Sequence, residues 1–291
     1  MSSPDHPSPP PETWTCPSCG ASAASPFCPQ CGERRRGAHD LTLGHLLEQL
    51  LESLIHFDSR LFRTARVLVA EPGRLTVAFL TGRRRPYVSP FHIFLVANII
   101  FFLVQVLSRL QVLTVPLDQE LQHQVYSGFA QRLVAHHLAG TGMTDVQYAP
   151  IFEHAEALYA KSLIILMLPL FAVAAGLLFV DRRMVAAAHL VIAAHFYAFL
   201  MVALTVMFPA FALTVAVVRH VHLPLSVNGF DWVASSTIGL ICLIYLAQSV
   251  AVVYGAGPVR RWLSAGVLTV ATLYILYVYR FILLLVTVWA T

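Results

Sequence analysis

Residues 88–107 read VSPFHIFLVANIIFFLVQVL, without a single Asp, Glu, Lys or Arg. About 20 consecutive apolar residues are what an α-helix needs to cross the hydrocarbon core of a bilayer. Four later runs have the same character: 158–180, with Lys161 near its start, 185–208, 232–254 and 262–288. The stretch 210–218 is apolar but short. It either extends the third span past a kink at Pro209 or forms a re-entrant piece. Hydrophobic residues make up 57% of the 291 positions and charged residues only 12%, about half the charged fraction of a soluble domain. The chain therefore reads as an all-α polytopic membrane protein with about five transmembrane helices, and a water-soluble fold is excluded.

Upstream of the first span lies a different module. Cys16-Pro-Ser-Cys19-Gly20 is followed by Cys28-Pro-Gln-Cys31-Gly32. Two CxxC knuckles at this separation predict a small N-terminal zinc ribbon with Cys16, Cys19, Cys28 and Cys31 as the metal ligands. Four thiolates make a closed tetrahedral site with no position left for a substrate, so one structural Zn²⁺ is expected. So short a module has no core of its own, and the metal would supply about 10 kcal/mol of folding free energy. Gly20 and Gly32 are expected at positive φ, turning backbone N–H groups toward the thiolates. A redox dithiol is the alternative, but it needs a thioredoxin-like βαβ unit that is not legible here. No apolar signal region precedes the ribbon, so the cysteines are expected in a reducing compartment, as thiolates rather than disulfides. Cys242, alone in an apolar stretch, reads as a small inert core residue.

The organisation expected is a Pro- and Ser-rich disordered leader (1–13), the ribbon (14–33), Arg-rich amphipathic helices (34–87) and a transmembrane domain (88–291). A helix is predicted from Leu41, with Asp40 as its N-cap and Leu43, Leu46, Leu47, Leu50, Leu51, Leu54 and Ile55 along it. A second runs from Asp58 to Ala70 with Arg60, Arg63 and Arg66, and stops at Glu71-Pro72-Gly73. A third, Leu75 to Leu80, ends at Thr81-Gly82-Arg83-Arg84-Arg85. Arginines beside apolar faces suit helices lying on an anionic inner leaflet, at about 1 kcal/mol per Arg. Packing of those arginines against the protein's own loops remains open. Nucleic acid is the weaker reading, because stacking aromatics are not interleaved with the basic residues.

Ten of the 19 Lys and Arg are arginines between Arg34 and Arg85. The positive-inside bias places these, Arg182-Arg183 and Arg260-Arg261 in the cytoplasm. Five spans then put the N-terminus inside and the C-terminus outside, with Arg280 in the outer half of the last span, close enough to snorkel. The segment 110–157 is the one sizeable outer loop. Its default reading is a solvated helical loop, although His123, His136, His137 and His154 beside acidic residues permit an external metal or proton site. Within the spans, His189, His195, Asn98, Gln105 and Gln248 read as interhelical hydrogen-bond glue. No carboxylate falls inside a predicted span, which counts against a proton-coupled carrier. No GxSxG, Walker A, GxGxxG or HExxH motif is present.

The order of features resembles an uncharacterised family of bacterial inner-membrane proteins known only as a domain of unknown function. Cys16, Cys19, Gly20, Phe27, Cys28, Cys31 and Gly32 carry its ribbon; Thr64, Pro72, Gly73, Gly82, Arg83, Arg84, Tyr87 and Pro90 carry its entry to the first span. Glu33 stands where the family pattern suggests Gln, which bears on nothing at the metal. The resemblance implies zinc binding and an inner-membrane location, with no known activity. The function expected is that of a multi-pass protein whose cytosolic ribbon docks an unidentified protein partner or regulates at the membrane. A transporter or channel gated by the ribbon is one alternative, hinted at by Pro169 and Pro209. An intramembrane enzyme is the second, and would need His189, His195 and Tyr197 to converge on a cavity.

Overall fold

The computed structural model describes residues 13–35, 59–108, 113–220 and 227–291. The leader up to residue 12, the helix expected from Leu41 to Ile55 and its N-cap Asp40 lie outside the described residues. Two short strands, β1 (Trp14–Thr15) and β2 (Ser22–Ala23), pair antiparallel in the ribbon. Everything else regular is helical: α1 (Ser59–Ala70), α2 (Arg74–Leu80), α3 (Pro90–Ser108), α4 (Leu117–Gln122), α5 (Ser127–Ala139), α6 (Asp145–Leu163), α7 (Met167–Leu178), α8 (Ala186–His220), α9 (Val227–Tyr254) and α10 (Pro258–Ala290).

Among the described residues, five helical stretches are long and apolar enough to cross a membrane: Pro90–Ser108, Asp145–Leu178, Ala186–Thr214, Val233–Tyr254 and Pro258–Ala290. The second starts at Asp145 rather than near 158, because α6 runs through Pro150 and joins α7 by the 3₁₀ turn Ile164–Leu166. Thr144 and Gln147 close a capping box at its start, which the apolar pattern alone does not reveal. Beyond Pro209 the chain stays helical to His220, so the extension holds and the re-entrant alternative does not.

The centre of the bundle is α8. Its most apolar window is 72% buried inside the protein, against 28–39% for the other four spans. Ala193, Ala194 and Ala198 lie fully inside, and such small side chains let neighbouring backbones approach closely. α3, α7 and α9 all pack against α8, and α10 packs against α6, α7 and α9. Histidines tie this helix to two different elements: His195 Nδ1 is 2.9 Å from Thr76 Oγ1 on α2, and His189 Nδ1 is 2.9 Å from the Tyr254 hydroxyl on α9.

The two ends of the bundle differ. At one end, Arg260 makes a bidentate pair with Asp181 at 2.7 and 2.8 Å, joining the α7–α8 and α9–α10 connections. The helices α1 and α2 lie at this same end. At the other, α4, α5 and the first half of α6 fold into a cap over the last span rather than a solvated loop. Leu117, Ala130, Val134, Leu138, Tyr148 and Phe152 form its core with Leu284 and Val288 of α10. The Tyr148 hydroxyl lies 2.6 Å from Thr291 Oγ1.

The break between α1 and α2 is made by Gly73, at φ +85°. A Cβ there would stand 3.0 Å from the Val252 side chain and 3.1 Å from the Ser249 backbone, besides forcing a left-handed conformation on an L side chain. Gly73→Ala is expected to destabilise the folded chain by about 2 kcal/mol. A lowered thermal midpoint in detergent, without loss of helix content at low temperature, checks it.

Candidate metal centre

Each knuckle is a tight turn built the same way. In the first, Gly20 N–H donates to the Cys16 carbonyl and Cys16 N–H to that of Ala21; in the second, Gly32 N–H donates to Cys28 and Cys28 N–H to Glu33, all at 2.8 Å. Both glycines have the expected positive φ, +78° and +69°. The Trp14 indole donates to the Ser25 carbonyl at 2.8 Å and so ties the first hairpin to the segment entering the second.

These turns bring four thiols together. The sulfurs of Cys16 and Cys31 are 3.5 Å apart, as are those of Cys19 and Cys28, and all four lie within 4.8 Å of one another. A disulfide needs about 2.05 Å, so the cysteines are free thiols arranged to hold one metal ion between them. Cys16 and Cys28 are buried, Cys31 is partly covered and Cys19 is exposed. The backbone N–H of Cys31, and after it that of Gln30, pull the Cys28 thiol down to about 7 against its desolvation. A lowered thiol is a better ligand, because metals bind the thiolate. Among the described residues, these four cysteines are the His, Cys, Asp and Glu grouping able to hold an ion.

The ribbon does not hang free of the membrane helices. Glu33, only 5% exposed, reaches the turn between α2 and α3. One of its oxygens accepts the backbone N–H of Arg85 at 2.9 Å, that of Arg84 at 3.2 Å and the Ser18 hydroxyl at 2.5 Å. The Arg85 guanidinium lies over Gly32, 3.2 Å from where a Cβ would be. The Arg84 guanidinium sits 4.6 Å from the centre of the Phe79 ring on α2. Thr64, fully buried, accepts the Val88 N–H at 3.1 Å and so pins α1 to the entry of α3. Sequence reasoning gave Glu33 no role. The available signal was the repeat itself: the residue after the first knuckle is Ala21, while its counterpart after the second carries a charge.

Other sequence candidates do not gather into a site. His195 and His189 are spoken for by Thr76 and Tyr254, on different neighbours of α8, and the buried Tyr197 hydroxyl has no hydrogen-bond partner. Gln248 is exposed and does not join Asn98 and Gln105; Lys161 is exposed as well. Cys242 is buried in the main apolar cluster.

Residues 58–102 match the model of a family described as "Protein of unknown function (DUF3667)". The matched stretch holds α1, α2, most of α3 and the Arg84–Arg85 seat of the ribbon. No curated protein matches the chain, and no solved structure does.

A carboxylate accepting two backbone N–H groups is a charge-assisted contact of about 1.5–3 kcal/mol. Glu33→Ala is expected to raise hydrogen exchange of the Arg84 and Arg85 amides about tenfold while leaving the metal content unchanged. Peptide-resolved exchange mass spectrometry with metal analysis on the same sample reads both.

Proposed function

We propose that this chain is a multi-pass protein of a bacterial inner membrane whose cytosolic ribbon, stapled by one structural Zn²⁺, docks a protein partner at the membrane surface. The observation that carries this reading is the Glu33 seat. It fixes one side of the ribbon to the turn before the first span, so whatever the ribbon binds is held at a set position over the bilayer. Part of the ribbon's surface remains open, with Phe27 58% exposed.

Zinc suits the donor set. Zn–S bonds of about 2.3 Å in a tetrahedron place sulfurs about 3.8 Å apart, and the thiols here lie between 3.5 Å and 4.8 Å. Cys16, Cys19, Cys28 and Cys31 fill all four positions, so the ion holds the fold together and supplies no open coordination site for chemistry. On α1, Phe62 and Val69 are exposed together with Arg60, Arg63 and Arg66, facing away from the buried Thr64, Val67 and Leu68. That face suits anionic headgroups and the acyl boundary of an inner leaflet. With the arginine-rich end inside, Thr291 lies outside.

Three measurements test this. Purified protein should hold about one zinc per chain, and Cys28→Ser should release it; a variant with full zinc would remove the ribbon as a metal site. A reporter fused after Thr291 should be active only in its exported form, and cytoplasmic activity would break the five-span orientation. A protein that co-purifies from native membranes with wild type, but not with the Cys16→Ser/Cys19→Ser variant at matched expression, would identify the docked partner. Identical co-purifying sets would end the docking reading.

A further inference from the structure

Between the apolar core of the outer cap and that of the membrane bundle lies a layer of charged groups. Along one face of α6, Phe152 belongs to the cap cluster and Ala160 to the bundle cluster. Between them, one helical turn from each, stands Glu156, 2% exposed. Glu120, at the end of α4, is fully buried, and neither of its carboxyl oxygens has a hydrogen-bond partner. The Tyr126 hydroxyl, also buried, lies beside Glu120, and its ring meets Phe281 edge-on at 5.2 Å. Arg280 of α10 acts on Glu120, Glu156 and Tyr126 alike. Val115 N–H donates to Glu156, whose charged or titratable neighbours also include Glu153 and Tyr279.

The charges in this layer do not balance. Among the described residues, Glu120 and Glu156 together bring two carboxylates against the one guanidinium of Arg280, in a place closed to water. Burying an uncompensated carboxylate is expensive, and two carboxylates sharing one site do not both stay ionised. A metal cation is a poor answer: among the described residues of this layer, the buried oxygens without a partner are the two of Glu120 and the Tyr126 hydroxyl, too few for a hard cation, and Arg280 repels it. A proton needs no cage of ligands. We propose that the Glu120–Glu156 pair binds one proton at the end of the bundle opposite the ribbon, and that this proton keeps the outer cap seated on the last span. With the proton in place, one guanidinium faces one carboxylate and the layer is neutral. Without it, the second carboxylate is left buried between two apolar clusters, and the cap is pushed from α10.

Burial pushes the Glu120 carboxyl above the ordinary carboxylate range, against the lowering by Tyr126 and Arg280. A carboxyl raised in the folded state contributes stability that is fully present below its unfolded value and is lost as pH rises through the folded one. The thermal midpoint of the full chain in lipid nanodiscs should therefore fall, by about 3 °C, between about pH 5 and about pH 9. Glu120→Gln, which mimics the protonated form, should keep its low-pH midpoint across that range. Infrared difference spectra should show a protonated-carboxyl band in wild type at neutral pH that Glu120→Gln or Glu156→Gln diminishes. Equal pH slopes in wild type and Glu120→Gln would overturn the proposal. So would recovery of the alkaline wild-type midpoint by added Na⁺ or Ca²⁺, which would make this a cation site. Should Glu120→Gln not fold, wild-type and Glu156→Gln spectra decide alone, and absence of the band in wild type would refute proton binding.

Discussion

The structure depends on a helix whose first half, residues 187–201, gives almost nothing outward to lipid. α8 is apolar all round and alanine-rich, and over that half it is enclosed by its neighbours. In a bilayer those neighbours gain little by leaving lipid, since acyl chains are as apolar as leucine. What holds them is close packing over small residues and hydrogen bonds between helices. His189 and His195 of α8 serve in this way. His195 reaches Thr76 on the short helix α2, and His189 reaches Tyr254 near the end of α9. The first contact matters beyond its own energy, because it draws a seven-residue helix, too short to be stable alone, into the bundle.

From α2 the dependence runs outward to the ribbon. α2 positions the turn at Arg83–Arg85, with Phe79 under the Arg84 guanidinium. That turn presents two backbone N–H groups to Glu33. The ribbon has a pair of two-residue strands and four cysteines, so an ion held by those cysteines would supply its internal order, while its placement comes from this one carboxylate. Loss of the metal and loss of the seat are thus different events. The first unfolds the module that presents Glu33; the second leaves the module whole but no longer fixed over the first span.

The spans and the knuckles were legible in the sequence because each is a local pattern: an uninterrupted apolar run needs no partner to be recognised, and CxxCG fixes its own turn. What was missed depends on residues far apart in the chain. The cap read as a loop because α4 to α6 are short or polar, and the apolar side chains that seat them, Leu284 and Val288, lie at the far end of the last span. Glu156 read as a loop residue for the same reason. Its burial becomes visible only once α6 is seen to continue into the span and α4 to fold against it. Glu33 looked neutral because its partners are backbone amides, which leave no trace in side-chain identity.

A buried carboxyl pair at the end opposite the ribbon reopens the question of a proton path, since the lack of carboxylates in the predicted spans had weighed against one. The bundle interior argues for a local role. Between the cap and the ribbon end, the space around α8 is filled by Phe171, Phe196, Tyr197 and Tyr245, each at most 4% exposed, with rings stacked or edge-on to one another. The buried His195 is committed to Thr76, which leaves its ring held in place rather than free to relay. A proton arriving at Glu120 therefore meets an aromatic plug instead of a chain of acceptors. Its free energy is available only to the contact between cap and last span, so the carboxyl layer works on how firmly the cap closes, while the ribbon end keeps its own fastening through Glu33.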